Sequence, residues 1–358
     1  MLDVQNKINH MTQLKEYRES LWTNPRLRHL FLELTMRCNE NCIHCGSRCG
    51  EINSEELSLE NYKKLLTQVK ADLGTSDKML CITGGEPLLR KDFFEIMSFA
   101  NSLGFNWGMT SNATLITPEV AHKLREAGMK TISVSIDGIR ETHDAFRRSP
   151  GGFDRAMAGI NNLIDEGGFQ SIQVTTVVTH ESIKELDELF LIFDKMDIDS
   201  WRVIGIEPMG RAKDHPELLL TPEDQKYLFE FIRNKRISGE PVLYGCSHYL
   251  GLEYEREVRD WYFNCTAGIY TASITASGDI IACLDIERRP EFVQGNVLKD
   301  NFADVWKNGF KCFRRNLSDD NEECSSCAHK DFCRGGSYHS WNFDENKPEI
   351  CFKGVLFD

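Results

Sequence analysis

The stretch KMLCITGGEP, residues 78–87, is a short apolar run that stops abruptly at Gly84-Gly85-Glu86-Pro87. Such a run bounded by glycine reads as a buried strand, and the glycines mark a point where the backbone turns or approaches another group closely. Upstream, RHLFLELTM (28–36) has the same character and leads into Cys38. Between the two runs, Leu59, Tyr62, Leu65, Leu66 and Val69 recur at a spacing that puts them on one helical face. The alternation continues downstream, with strands expected at 104–110, 130–136, 171–178 and 201–208. Helical runs separate them, for example Ile183, Leu186, Phe190 and Phe193, and Pro118 and Pro222 each follow a Thr able to cap a first turn. Six β-α units in series predict an α/β fold with a parallel sheet and crossover helices. Six are too few for a closed eight-stranded barrel, so the expectation is a partial (β/α)6 TIM-like barrel followed by a small Cys-rich domain.

The chain has 358 residues, of which 41% are hydrophobic. At about 150 residues per domain this is a two-domain length with enough apolar surface for a sizeable core. The expected division is an N-terminal helical extension at 1–27, a core at 28–240 and a Cys-rich module at 241–358. With 42 Lys+Arg against 55 Asp+Glu, the net charge is −13. That disfavours nucleic acid as the partner. No apolar run is long enough to cross a membrane, and the first residues lack a secretory pattern, so a cytoplasmic protein without membrane attachment is expected.

The 13 cysteines cluster. Cys38, Cys42, Cys45 and Cys49 lie near the start; Cys265, Cys283, Cys312, Cys324, Cys327, Cys333 and Cys351 lie near the end. In a reducing compartment, clustering of this kind points to metal more than to disulfides. Cys38, Cys42 and Cys45 could hold three irons of a four-iron cluster and leave one iron open, or could form a zinc site with Cys49. Polar groups gather at the expected C-terminal ends of the strands: Cys38, Gly84 to Pro87, Ser111-Asn112, Ser135, Asp137 and Glu207. Strand ends are the active rim of parallel α/β folds.

These motifs together resemble the radical S-adenosylmethionine (radical SAM) superfamily. The resemblance spans roughly residues 28–210 and rests on Cys38/Cys42/Cys45, the GGEP segment, SVSIDG (133–138) with Arg147 nine residues later, and IEPMGRA (206–212). It implies a [4Fe-4S] cluster on the three Cys, with S-adenosyl-L-methionine chelated at the open iron and cleaved to a 5′-deoxyadenosyl radical. It further implies that Gly84, Gly85 and Glu86 meet the cofactor amino group, Ser135 the ribose and Arg147 the carboxylate, while Ile206 lines the adenine region. His44 stands where the family often has a carbocyclic aromatic residue.

The C-terminal pattern resembles a SPASM domain, which houses auxiliary iron–sulfur clusters. It consists of Cys265-(12)-Gly278-(4)-Cys283, GNV at 295–297, Cys324-(2)-Cys327-(5)-Cys333 and Cys351. A zinc site is the alternative for such CxxC pairs. The resemblance assigns Cys324, Cys327, Cys333 and Cys351 to one complete cluster. Cys265 and Cys283 belong to a second whose usual further ligand position holds Ser337, so one or two auxiliary [4Fe-4S] clusters are expected. Cys246 and Cys312 are candidate replacements, and Cys246 is also a candidate hydrogen donor. Cys81 reads as a small core residue.

An enzyme is expected over a non-catalytic electron carrier, because GGEP, Ser135 and Arg147 converge on a cofactor pocket that a carrier does not need. The resemblance points first to modification of a ribosomally made peptide by thioether formation, side-chain crosslinking or epimerisation. The alternative is oxidation or epimerisation of a small molecule such as an aminocyclitol. Sulfatase maturation is disfavoured by Leu284, where those maturases carry Asp. An electron donor such as flavodoxin or ferredoxin is implied. The first 27 residues are too few for an independent leader-binding core, so a peptide substrate would be delivered by a separate leader-binding protein or bound directly.

Overall fold

The computed structural model describes residues 3–51, 55–245 and 248–358. Six strands pair in chain order, all parallel: β1 (His29–Glu33), β2 (Met79–Thr83), β3 (Asn106–Ser111), β4 (Met129–Ser135), β5 (Ser171–Val178) and β6 (Ser200–Gly205). These are the six strands the sequence predicts. Two more extend the parallel array: β7 (Val242–Tyr244) beside β6, and β8 (Thr271–Ile274) beside β1. A hairpin through β9 (Asp279–Ile281) and β10 (Gly295–Asn296) continues antiparallel from β8. The order β10-β9-β8-β1-β2-β3-β4-β5-β6-β7 is an open sheet of TIM-like connectivity.

The strands alternate as a sheet between helices and an inner face requires. On β4, Ile132 and Val134 are buried while Thr131, Ser133 and Ser135 are half-buried on the opposite face. Ser133 hydrogen-bonds Thr175 at 2.7 Å, and Arg202 on β6 donates Nε to Thr175 at 3.1 Å, so the inner face of β4 to β6 is polar.

A first helix, α1 (Val4–Thr23), precedes the sheet, and α2 (Leu59–Leu73), α3 (Phe93–Ser102), α4 (Pro118–Glu126), α5 (Arg140–Arg147), α6 (Gly152–Glu166), α7 (Leu186–Phe193) and α8 (Pro222–Ile237) follow the strands. Ser58 with Asn61, and Thr221 with Asp224, form capping boxes that start α2 and α8. Leu65, Leu66 and Val69 of α2 join the core against β1 and β2.

The first helix packs on the C-terminal third. Met11 is buried among Tyr249, Tyr262 and Phe263. Lys7 is buried, pairs with Glu257 at 2.7 Å and donates to the Glu253 carbonyl at 2.8 Å. Arg334 lies over the Trp22 ring at 5.3 Å.

Candidate functional site

The parallel strands deliver their C-terminal ends to one rim, and the loop after β1 carries Cys38, Cys42 and Cys45 there. Two segments grip that loop. After β2, the Gly85 amide donates to the Thr35 carbonyl at 2.8 Å and the Glu86 amide to the Arg37 carbonyl at 2.9 Å. A Cβ on Gly84 would sit 2.3 Å from the Thr35 oxygen; one on Gly85 would sit 2.1 Å from the Arg37 oxygen and 2.9 Å from Cys38 Cβ. Both positions therefore need glycine for the end of β2 to lie against the Cys loop. After β6, the Arg211 amide donates to the Cys45 carbonyl at 3.0 Å, and its guanidinium donates to the Cys42 carbonyl at 2.7 Å and the Cys49 carbonyl at 3.2 Å. The sequence marks Arg211 only as part of IEPMGRA; its grip on the loop was not legible there.

The three thiols share one environment. Burial pushes Cys38 up to about 11 and Cys42 up to about 12, and the negative charge of Cys45 adds to both. Cys45 is held down at about 6, chiefly because Cys49 hydrogen-bonds its sulfur. The Cys49 amide also donates to Cys45 Sγ at 3.4 Å, and the Cys49 thiol to the Gly84 carbonyl at 3.6 Å.

Glu86 is fully buried. Its carboxylate accepts from Ser111 Oγ and the Asn112 amide at 3.0 Å and from the Leu88 amide at 3.2 Å, tying the end of β2 to the end of β3. Burial pushes its carboxyl up to about 7. Arg147, buried at the end of α5, donates Nε to Asp137 at 2.8 Å and Nη1 to Glu40 at 2.9 Å. Asp137 also accepts from the Val177 amide at 2.9 Å. Burial acts to raise the Asp137 carboxyl, but the charge of Arg147 together with His44, His143 and the Val177 amide bond holds the group below the usual range. His44 stacks on Phe146 with centroids 4.1 Å apart and rings 2° from parallel, and its Nε2 lies 3.6 Å from Asp137. Ile206 is buried with Phe146, Ala212 and Leu218 behind the Cys loop, against Ile43. Ser135 ends β4 opposite Thr175 on the inner face.

In the C-terminal third, Cys324, Cys327, Cys333 and Cys351 line one cavity of about 350 Å³ with His248, Tyr249 and His329. Burial pushes Cys324 up to about 11 and Cys333 up to about 12. Cys283 lines a different cavity of about 380 Å³ with Phe313, while Cys265 lies in a cleft with Cys333 and Tyr338. Cys312 receives a hydrogen bond from Gln294 Nε2 at 3.7 Å. Cys81 is half-buried on the inner face of β2. Cys246 lies outside the described residues. Among the described residues, no three His, Cys, Asp or Glu side chains converge tightly enough for a single metal ion. Zinc needs four sulfurs about 2.3 Å from one point; four thiols lining a cavity suit a multi-atom cluster.

The radical SAM superfamily profile matches residues 32–192, and an iron–sulfur cluster-binding SPASM profile matches residues 265–328. The mycofactocin maturase MftC of Mycolicibacterium smegmatis is 32% identical over 85% of this chain and 76% of its own length. The AdoMet-dependent heme synthase of Methanosarcina barkeri is 30% identical over 87% of this chain and 90% of its own.

The chain belongs to the radical SAM superfamily.

Among solved structures, Streptococcus suis SuiB bound to S-adenosylmethionine superposes with a TM-score of 0.74 at 19% identity, over 98% of this chain and 81% of that one. AnSMEcpe with bound AdoMet gives 0.69 at 18%, over 92% of each chain. Both share the fold. As a radical SAM enzyme with a SPASM domain, the chain uses S-adenosylmethionine and [4Fe-4S] clusters. No described helix is long and apolar enough to cross a membrane.

Proposed function

We propose that this radical SAM/SPASM enzyme modifies a ribosomally synthesised peptide. The observation that carries this proposal is the match to mycofactocin maturase MftC, 32% identical over 76% of that protein's length. The fold shared with SuiB, which has also been solved bound to its precursor peptide SuiA, is compatible with it. A second substrate class, a tetrapyrrole, is favoured by the heme synthase match at 30% identity.

Cys38, Cys42 and Cys45 would hold the core cluster, which supplies the electron that cleaves S-adenosylmethionine to the hydrogen-abstracting radical. Cys324, Cys327, Cys333 and Cys351 would hold one auxiliary cluster, and Cys265 and Cys283 would contribute to a second. The chain's own residues do the positioning. The segment at Gly84 and Gly85 and the Ser135 hydroxyl would contribute to holding the cofactor. Glu86, Arg147 and Ile206 hold the surrounding backbone: Glu86 through its bonds to Ser111 and Asn112, Arg147 through Asp137 and Glu40, and Ile206 by packing under the Cys loop. The core is proposed to end near residue 240, with the auxiliary module following.

The test is anaerobic incubation of the reduced holoenzyme and S-adenosylmethionine with each short peptide found encoded near its gene, read by mass spectrometry. A mass change in that peptide supports the proposal. Turnover of an iron porphyrin with an unchanged peptide would refute it.

A further inference from the structure

Glu207 lies two residues beyond β6, and its side chain is only 8% exposed. Two histidines from the C-terminal third flank it. His339 Nε2 lies 3.3 Å from Glu207 Oε2, and His248 Nε2 lies 3.2 Å from Oε1. His339 also lines a cavity of about 340 Å³. One wall is Gly46 and Ser47, immediately after Cys45; another is Pro208 to Gly210, immediately after Glu207. Leu284, Ile286 and Trp341 complete it from the C-terminal third. The cavity thus lies where the third cysteine of the core motif faces the Cys-rich module.

We propose that His339 is a catalytic proton-transfer residue, oriented by Glu207, for a peptide segment held in this cavity. The proposal rests on the peptide-modifying function above and assigns a residue to it. A carboxylate beside one ring nitrogen fixes an imidazole's tautomer and orientation and stabilises its protonated form. With Glu207 Oε2 3.3 Å from Nε2, the ring nitrogen left for substrate is Nδ1. It takes a proton from a substrate N–H, O–H, S–H or acidified C–H, and Glu207 balances the imidazolium charge. The proton passes to water when product leaves, and no electron changes hands at the dyad. The apolar wall suits side chains, and charged groups of both signs on the rim, Arg48 and Lys213 with Glu287 and Asp344, suit a polar backbone.

The groups facing His339 are Glu207, His248 and Asp285. Burial acts to lower its pKa, but the two carboxylates prevail and raise it above the usual 6.5. A raised pKa means the base form fills only above that value. Product formation should therefore rise with pH through an inflection above 6.5, and Glu207→Gln should move the inflection down.

The experiment uses the reconstituted holoenzyme with the short peptides found encoded near its gene and reads modified peptide per 5′-deoxyadenosine. His339→Gln keeps a side-chain donor for Glu207 but cannot relay a proton; the ratio should fall by about 10²-fold or more. Independently, diethyl pyrocarbonate labelling of the holoenzyme, mapped by mass spectrometry, should modify His339 with an inflection that drops in Glu207→Gln. A wild-type ratio and pH profile in His339→Gln, or a labelling inflection unmoved by Glu207→Gln, would overturn the assignment. If wild type leaves the peptide unmodified, the peptide-modifying function fails, and the labelling arm still decides whether the dyad exists.

Discussion

Arg211 Nε donates to the Cys42 carbonyl at 2.7 Å, joining the turn after the sixth strand to the loop after the first. The buried guanidinium also reaches the Cys49 carbonyl at 3.2 Å. The segment after the sixth strand thus braces the cysteine loop across the rim. Charge-assisted bonds of this kind contribute about 1.5–3 kcal/mol each. Arg211→Met should loosen the loop. Iron analysis of the anaerobically purified variant should show loss of core iron with C-terminal iron retained.

Gly85→Ala places a Cβ 2.1 Å from the Arg37 oxygen, with backbone on the other side that cannot give way. The outcome should be loss of the core cluster or of soluble protein. At Gly46, the nearest atom to a new Cβ is the flexible Met209 Sδ at 3.3 Å, and the backbone there is not left-handed. Gly46→Ala should therefore stay within about 1 kcal/mol of wild type by thermal melting.

Much of this was legible in the sequence because the residues involved are punctuation. The six core strands ended at glycine or polar groups, and the two clusters of cysteine stood apart. The unread parts depend on partners distant in the chain. Strand β7 is three residues long and carries no periodic signal. Nothing in the spacing of Cys265, Gly278 and Cys283 showed that Thr271–Ile274 would pair with β1. Glu86 and Arg147 were legible as important, but not that their side chains are engaged by Ser111, Asn112, Asp137 and Glu40. His248 and His339, 91 residues apart, gave no signal that they meet at Glu207.

Glu86 predicts a pH dependence of stability. Its folded pKa, about 7, lies above the unfolded carboxyl value, so its contribution is fully present below about 4.3 and is lost as pH rises toward 7. Between those values the wild-type stability curve should slope downward with pH relative to Glu86→Gln. Parallel denaturation curves across that window would contradict the burial account.

The first helix contributes a buried ion pair, Lys7 with Glu257. Lys7→Met leaves Glu257 buried beside an apolar group, at a cost of about 3–5 kcal/mol. The double variant Lys7→Met/Glu257→Leu should recover most of it. Urea denaturation of the two variants measures the difference; equal losses would mean that the pair is not what anchors the helix.

The most direct test of the account is reductive cleavage of S-adenosylmethionine by the anaerobically reconstituted protein with dithionite. Wild type should release 5′-deoxyadenosine. The variant with Cys38, Cys42 and Cys45 all replaced by Ala should release none while keeping its C-terminal iron, about four or about eight atoms for one or two four-iron clusters. Undiminished 5′-deoxyadenosine from the triple variant would contradict the assignment of the catalytic cluster to the loop after the first strand.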